Sequence, residues 1–476
     1  MSFSDTVKNI SGSTTYTIVL NGNRIEAAAS SAEDAVTNLK TAIENSNTIN
    51  SFSYSLTASS TKLIVENIEK KLYLSIKEKT DSITFKLEKV LKAFSDSHLN
   101  VQHFASLTGY GHGDLGRDII DKIFANVLDA EKAAVRLQLV SGTHAITSSL
   151  FGVLRPGDGL LSVTGWPYES LEEVIGLRGN GKGSLIEFGI TYEEISLNND
   201  GNIDFLALEK ALNIPRKLIF IQRSCGYTWR PSLSIEVIKE ICYLCHKIQP
   251  NCICFVDNCY GEFVETNEPT SVGADLIAGS LIKNLGGTIV PTGGYIAGKA
   301  DLVDKACCRL TAPGIGSEGG ITFDLNRTIL QGLFLAPQMV SEALIGAEII
   351  STSFSELGFK VLPTPASKRT DLIQIVRIGD PKILQIICRS FQEKSPIGSF
   401  LDPIPAPMPG YENNLVMAGG TFVDGSTSEF SADAPMKPPF DLFIQGGSHR
   451  AHVKIALIHA LSNLFQAGLI KLPQND

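Results

Sequence analysis

The 476-residue chain is long enough for more than one domain, and its 43% hydrophobic and 19% charged residues are those of an ordinary globular protein. A formal net charge of −9 argues against a general nucleic-acid or membrane-surface binder. The nine cysteines all lie at or beyond Cys225, which favours reduced thiols and a cytoplasmic protein over a disulfide framework. No leader pattern and no uninterrupted apolar run of transmembrane length is visible, so we expect neither a signal peptide nor a membrane span.

The first 78 residues differ from the rest in composition and hydrophobic pattern, and they predict a small ββαβββ module. Two alternating runs flank Asn21 and Gly22, a dipeptide typical of hairpin turns, and a helix is predicted over residues 31–46. Further strands are predicted at residues 53–57, 62–66 and 72–77. The pattern resembles, in composition, small modules of phage tail and particle proteins. We therefore expect an appended interaction or assembly module, with an inert solubilising extension as the alternative.

From residue 79 onward, apolar strand patterns alternate with helical ones, which predicts an α/β domain with a parallel sheet and helices on both faces. An N-terminal arm (79–117) precedes the rest of this domain, which extends to residue 350, and residues 351–476 predict a smaller C-terminal α+β domain. The predicted strands are 134–140, 160–163, 218–222, 252–256, 275–282 and 294–297, and the predicted helices include 83–95, 170–175, 235–248 and 322–354.

Two polar residues end neighbouring apolar strands, where ligands bind in such sheets. Lys283 follows one strand, and poor solvation there disfavours its ammonium and makes its amine available. Asp257 ends the other strand and is suited to pair with a protonated pyridine nitrogen. A reactive lysine and a pyridinium carboxylate are the minimum equipment of a pyridoxal 5'-phosphate (PLP) enzyme. A lysine with a buried stem and an aspartate that caps a turn would give the same pattern.

Other strand ends add residues of the same chemistry. Ser141 is a natural helix N-cap and Gly142 permits close approach of an anion to the free N–H groups behind it, although an ordinary capped helix looks the same. Tyr168 is placed to stack on a flat ring, Arg223 suits a carboxylate or phosphate, and Ser280 lies one turn before the lysine. Their order along one alternating chain favours a PLP site.

Long sequence blocks carry a resemblance to a known family. They include Val140-Ser-Gly-Thr-His-Ala-Ile, Trp229-Arg-Pro-Ser-Leu, Phe255-Val-Asp-Asn-Cys-Tyr-Gly, Ala278-Gly-Ser-Leu-Ile-Lys-Asn and Leu310-Thr-Ala-Pro-Gly-Ile-Gly. Residues 83–470 thereby resemble the aluminium-resistance protein family, a bacterial branch of the cystathionine β-lyase and methionine γ-lyase clan of fold-type I PLP enzymes. The resemblance implies a mostly parallel seven-stranded sheet between helices.

The resemblance also implies roles for individual residues. Lys283 would be the Schiff-base lysine and Asp257 the pyridinium partner. Tyr168 would stack on the cofactor ring, with Gly142, Thr143 and Ser280 around the phosphate.

Further implied roles concern the neighbouring subunit and the substrate. Tyr110 and Arg117 would complete a neighbouring subunit's site, which implies a homodimer or homotetramer. Lys437 occupies a position where the family carries arginine, so it or Arg369 would hold the substrate carboxylate. Cys225 is another departure, since a basic residue is expected there.

We therefore expect a PLP-dependent carbon–sulfur lyase that acts by β- or γ-elimination on a sulfur-containing amino acid such as cystathionine or methionine. An aminotransferase or a lyase for another amino acid would use the same lysine and aspartate. A non-catalytic assembly protein that acts through residues 1–78 is the other alternative. No metal site, nucleic acid or membrane is expected. Cys242, Cys245 and His246 match a haem-attachment spacing, but their amphipathic run indicates helix packing.

Overall fold

The computed structural model describes strands β1 (Thr14–Leu20) and β2 (Asn23–Ala29) and residues 61–471. The two strands pair antiparallel with Leu20 opposite Asn23, which confirms the predicted hairpin. The predicted helix at 31–46 and the predicted strand at 53–57 lie outside the described residues.

The last two strands predicted for the N-terminal module are wrong. Residues 61–71 are helical, and helix α1 (Tyr73–Asp96) follows after one residue, so 62–66 and 73–77 are helix. Val65 and Ile68, three residues apart, are both buried, which is helical rather than strand spacing. Lys454 pairs with Glu69 at 2.7 Å and so ties this segment to the end of the chain. The boundary predicted at residue 78 falls inside α1.

The central sheet has seven strands and confirms the predicted mostly parallel architecture. Strand β9 runs antiparallel to both neighbours, and the remaining pairs are parallel. The order across the sheet is β3-β9-β8-β7-β6-β4-β5. The strands are β3 (Lys132–Arg136), β4 (Gly159–Ser162), β5 (Thr191–Glu194), β6 (Leu218–Gln222), β7 (Ile253–Asp257), β8 (Leu276–Ser280) and β9 (Gly294–Gly298).

Helices cover both faces of this sheet, so its central strands are apolar throughout. In β7, Val256 packs into the core on one face and Phe255 into the core on the other, because successive side chains alternate. The helices are α2 (Leu115–Val127), α3 (Gly142–Val153), α4 (Glu169–Ile175), α5 (Phe205–Ala211), α6 (Ile235–Ile248) and α7 (Ala300–Leu310).

Helix α8 (Asn326–Glu356) joins the two domains: Leu333 lies in the core of the large domain and Ile345 in that of the small one. It is the one helix within the described residues that has the length and apolarity of a membrane span. However, 78% of its most apolar 18-residue window is buried inside the protein, as in a core helix.

The small domain is an antiparallel five-stranded sheet covered by helices α9 (Pro381–Gln392) and α10 (Arg450–Gln466). Its strand order is β10-β11-β14-β13-β12. The strands are β10 (Lys360–Leu362), β11 (Gln374–Arg377), β12 (Leu415–Ala418), β13 (Ser431–Pro435) and β14 (Asp441–Gln445). Strand β13 was not predicted, because its Ser-Ala-Asp-Ala-Pro sequence has no strand propensity, yet it is an interior strand and is buried.

Candidate active site

The carboxyl ends of the parallel strands meet at one edge of the large sheet, and the first turn of α3 closes over them. The contact requires a glycine. A Cβ atom on Gly142 would lie 2.9 Å from the Cys259 sulfur and 3.4 Å from the Ser280 Cβ. The helix N-terminus is therefore held against the ends of β7 and β8, with its partial positive charge directed at that edge.

Hydroxyl groups surround this helix N-terminus. Ser141 caps α3 by accepting a hydrogen bond from the His144 amide at 3.1 Å, as its sequence position predicts. The Thr143 hydroxyl lies 3.2 Å from the Tyr168 hydroxyl, and Ser280 Oγ accepts from the Ile282 amide at 3.3 Å. Free amides and hydroxyls at a helix start are a donor set that fits a phosphate.

Asp257 lies at the centre of the same edge. Its carboxylate is buried and accepts a hydrogen bond from the Cys259 amide at 3.1 Å. Burial raises the pKa of Asp257, while Lys283 and Arg230 act in the opposite direction. A buried carboxylate of this kind favours a cationic partner, so the position fits a protonated ring nitrogen.

Lys283 follows β8 and is half-buried. Its Nζ lies over the face of the Tyr260 ring, 3.6 Å from the ring centroid, which is a cation–π contact. Tyr260 adopts the left-handed region (φ 71°), an uncommon conformation for a bulky residue, and this turn directs the ring toward the lysine. Tyr260 was not predicted as a site residue, although it lies only three residues after Asp257.

The small domain supplies the opposite wall of the site. The Tyr227 hydroxyl, from the loop after β6, donates to Asp433 Oδ2 at 2.8 Å, and its ring lies 5.7 Å from that of Tyr411. Burial raises the pKa of Asp433 and raises that of Tyr411 to about 12, and in both cases Lys283 opposes the shift. We call Asp433 and Tyr411 the small-domain wall. Neither was predicted, because neither stands in a recognisable pattern.

Two predicted arginines are engaged elsewhere. Arg223 is fully buried, donating to Asn258 Oδ1 at 2.7 Å and to Glu265 Oε2 at 3.0 Å. Arg369 is buried in the small domain, where its guanidinium donates to the Ala347 carbonyl at 3.1 Å and lies 3.6 Å from Glu348. The structure does not bring either guanidinium to Lys283, because buried carboxylates and carbonyls hold both.

The remaining predicted residues lie at the periphery. Arg117 is fully buried and donates to the Gly111 carbonyl at 2.7 Å, whereas Tyr110 is 80% exposed. Lys437 is exposed and lies 3.7 Å from Glu169, which directly follows Tyr168. We call the residues at the sheet edge (Gly142, Thr143, Tyr168, Asp257, Ser280 and Lys283) the cradle. Of the two predicted substrate cations, Lys437 is the one that contacts a neighbour of the cradle, through Glu169.

A buried polar network lies beneath the loop that carries Lys283, which we call the lysine loop. Tyr295 on β9 donates to Glu262 Oε1 at 2.8 Å, and Asn284, next to Lys283, donates to the Glu262 carbonyl at 2.8 Å. Burial raises the pKa of Glu262 to about 8. This network was not predicted, because it joins residues from separate elements of the chain.

A cavity of about 770 Å³ lies beside the same loop. It is lined by Thr288 and Ile289 on the large domain and by Phe422 and His452 on the small one. Lys283 and Asp257 are not among its described lining residues, so the cavity is separate from the cradle.

Comparisons with known proteins identify the family. The profile of the methionine gamma-lyase family matches residues 61–465. A Bacillus subtilis (strain 168) protein named YnbB is 48% identical over 383 residues, which cover 80% of this chain and 91% of that protein. L-methionine gamma-lyase of Pseudomonas putida is 26% identical over 200 residues, 41% of this chain and 45% of that enzyme.

Solved structures agree. The crystal structure of a carbon-sulfur lyase involved in aluminum resistance from Clostridium novyi NT has a TM-score of 0.81 at 45% identity, covering 85% of this chain and 96% of that one. The PLP-dependent protein YhfS of Escherichia coli shares the fold (TM-score 0.55, 17% identity, 81% of this chain and 96% of that one), so the architecture is that of fold-type I PLP enzymes. The predicted resemblance is confirmed. The chain belongs to the methionine gamma-lyase family.

Proposed function

We propose that this protein is a PLP-dependent carbon–sulfur lyase that acts by β- or γ-elimination on a sulfur-containing amino acid such as cystathionine or methionine. Family membership and the carbon-sulfur lyase of Clostridium novyi NT support the reaction class. The observation that carries the proposal is the convergence of three groups at one sheet edge. These are the amine of Lys283, the buried carboxylate of Asp257 and the N-terminus of α3.

In this proposal the cradle residues hold the cofactor. The α3 amides with Thr143 and Ser280 would bind the phosphate, Tyr168 would stack on the ring, and Asp257 would pair with the ring nitrogen. Lys283 would hold the cofactor through its amine. When bound, PLP supplies an electron sink for the carbanion formed at Cα of the substrate.

Lys283 is the proposed general base, which takes the Cα proton of the substrate. The Tyr260 ring face beneath its Nζ restrains the amine at the site during that transfer. Asp257 keeps a proton on the ring nitrogen, because a buried carboxylate strongly favours a cationic partner.

Lys437 is the proposed contact for the substrate carboxylate. It is exposed and its distance of 3.7 Å to Glu169 is that of a loose ion pair, which leaves its ammonium available. Arg369 is less suited, since Glu348, Gln374 and a carbonyl hold it. A lysine offers a point charge rather than the bidentate fork of arginine, so we expect weaker recognition of the carboxylate.

The overall reaction breaks the carbon–sulfur bond. In β-elimination the electron pair released from the Cα–H bond expels a thiolate from Cβ. In γ-elimination a proton must also leave Cβ, and the electron pair released there expels the thiolate from Cγ. The thiolate takes a proton, and water then converts the remaining fragment into a 2-oxo acid and ammonia. Each turnover therefore consumes one water and yields one thiol, one 2-oxo acid and one ammonia.

The test is a product balance on PLP-loaded protein with cystathionine and methionine. We expect thiol, 2-oxo acid and ammonia in equal amounts. The Lys283→Ala variant should release none, whereas Lys132→Ala, at a half-buried lysine of β3 paired with Asp304, should match the wild type. Amino-group transfer to an added 2-oxo acid without thiol release would identify an aminotransferase instead.

We also propose that the protein forms a homodimer or homotetramer. The exposed Tyr110 ring is available to a second copy of the chain. Arg117 is not, since its guanidinium is buried and bound to carbonyls and to Asp118 of its own chain.

A further inference from the structure

A second group of reactive side chains lies at the opposite edge of the large sheet. Helix α6 and the first residues of β7 and β8 bring together four thiols, an imidazole and a carboxylate, which we call the thiol cluster. Its members are Cys242, Cys245, His246, Cys252, Cys254 and Asp275. Cys254 precedes Asp257 by three residues, about 10 Å along a strand, so the cluster is separate from the candidate active site.

The local sequence explains why these side chains converge. Cys242 and Cys245 are three residues apart and share one face of α6. Cys252 and Cys254 are two residues apart at the start of β7, so they point to the same side of the sheet. All four side chains belong to the same hydrophobic core. All four are buried.

Three ligand atoms already lie near coordination geometry. Nε2 of His246, the Cys254 sulfur and a carboxylate oxygen of Asp275 all lie within 4.8 Å of one another. Tetrahedral zinc, with bonds of about 2.0–2.3 Å, holds its ligand atoms about 3.3–3.8 Å apart. A shift of about 1 Å or less therefore brings these atoms to coordinating positions.

Neighbouring groups prepare the ligands. Asp275 Oδ2 accepts from the Cys254 amide at 2.7 Å, and Oδ1 lies 2.7 Å from Lys299, so the carboxylate is fixed in orientation. Nε2 of His246 lies 2.9 Å from Asp275 Oδ2, so a bound ion would replace that contact. His246 is half-buried, which gives an ion a path from solvent.

We propose that Cys254, His246 and Asp275 bind a borderline or soft divalent metal ion of the Zn²⁺ type, with Cys242, Cys245 and Cys252 beside it in the core. Three protein ligands and one water molecule would complete a tetrahedral shell. The ion would join α6 to β7 and β8. Binding would release one proton for each thiol that becomes a ligand.

The test uses reduced, chelator-treated full-length protein and Co²⁺ as the probe. We expect one Co²⁺ per chain, with the sulfur-to-cobalt charge-transfer band and the visible bands of tetrahedral coordination. Zn²⁺ should displace the Co²⁺, and Mg²⁺ should not. Bound Zn²⁺ should also raise Tm with metal concentration, because the ion binds the folded state.

Variants locate the site. His246→Gln lies on a half-buried helix position and should lower Co²⁺ affinity by at least about 10–100-fold, the loss typical of removing even an outer-shell partner. Cys254→Ser should weaken the charge-transfer band. The matched control is Cys308→Ser on α7, a partly exposed cysteine outside the cluster, which should leave both unchanged.

Two outcomes would overturn the proposal: Co²⁺ binding that His246→Gln does not weaken, or no tetrahedral spectrum in the wild type. Either would leave the thiols as core packing. Formation of a disulfide within the cluster on mild oxidation, with no Co²⁺ binding by the reduced protein, would also reject it in favour of a redox pair. Because His246→Gln replaces a side chain that is not in the core, the test stands even if Cys254→Ser fails to fold.

Discussion

The two sides of the candidate active site come from different parts of the fold. The cradle residues begin a helix packed on one sheet (Gly142), end strands of that sheet (Asp257 and Ser280) or follow a strand closely (Lys283). The small-domain wall comes from a loop and from the interior strand β13 of another sheet. Parallel topology alone brings the cradle together, whereas the wall depends on how two domains pack.

The difference assigns different roles to the two sides. Cradle residues carry the groups that any PLP enzyme needs, and their geometry follows from strand register. The wall faces the same lysine, since Lys283 influences the pKa of both Asp433 and Tyr411. We therefore expect changes in the cradle to abolish chemistry and changes in the wall to alter substrate binding.

The largest effect is expected at Lys283. Lys283→Ala should lower kcat by about 10²–10⁴-fold or more, because both the bond to the cofactor and the general base are lost. Lys283→Arg keeps a cation over Tyr260 but cannot form that bond, so it should be as inactive in a thiol-release assay. Substantial activity in the arginine variant would show that charge, not the amine, is the requirement.

Asp257→Asn should have the next largest effect. An amide cannot hold the ring nitrogen's proton by charge, so kcat should fall on the order of 10²-fold or more with little change in Tm. The exposed Asp304→Asn serves as the control and should retain full activity. A variant of Asp257 with normal kcat would argue that another group faces the ring nitrogen.

Tyr227→Phe tests the wall. It removes the hydroxyl that donates to Asp433, and loss of a partner for a buried carboxylate costs about 1–3 kcal/mol of unfolding free energy. We expect KM to rise while the cofactor spectrum stays unchanged. The control is Tyr192→Phe, which removes a similar hydroxyl–carboxylate bond to Glu194 at the sheet edge and should leave KM alone. A change in the cofactor band instead of KM would place Tyr227 in the cradle.

The smallest effect is expected for Glu262→Gln, in the network below the lysine loop. Burial raises the pKa of Glu262 from 4.5 in the unfolded chain to about 8, so the folded state keeps a proton that the unfolded state loses in this window. Wild-type stability should therefore fall as pH rises from about 4.5 to 8.

Glutamine cannot titrate, so Glu262→Gln should lose this part of the dependence of unfolding free energy on pH. We expect a loss on the order of 1–2 kcal/mol between pH 5 and 8, because Glu268 and Arg223 in the same network also influence the charge of Glu262. Denaturant unfolding at both pH values measures it. An unchanged slope would show that Glu262 is charged in the fold, and the exposed Glu209→Gln controls for a general charge effect.

The cradle could be predicted from sequence because each member adjoins an apolar run or a helix start. The same local reasoning failed where tertiary packing decides. Arg223 directly follows strand β6, and Asp257 ends the neighbouring strand β7. The Arg223 guanidinium nevertheless bonds to the buried Glu265 instead of facing the sheet edge. Short alternating runs at 62–66 and 72–77 gave no sign of helix, because runs of five or six residues fit both periods. Asp433 stood in a segment with no strand pattern.

The most direct test of the proposal that Lys283 holds the cofactor is to reduce the purified, PLP-loaded protein with borohydride and map the modified peptide by mass spectrometry. We expect a visible or near-ultraviolet cofactor band that borohydride bleaches, with the pyridoxyl group on Lys283 and nowhere else. A stable pyridoxyl group on a different lysine, or no band after PLP is added, would contradict it.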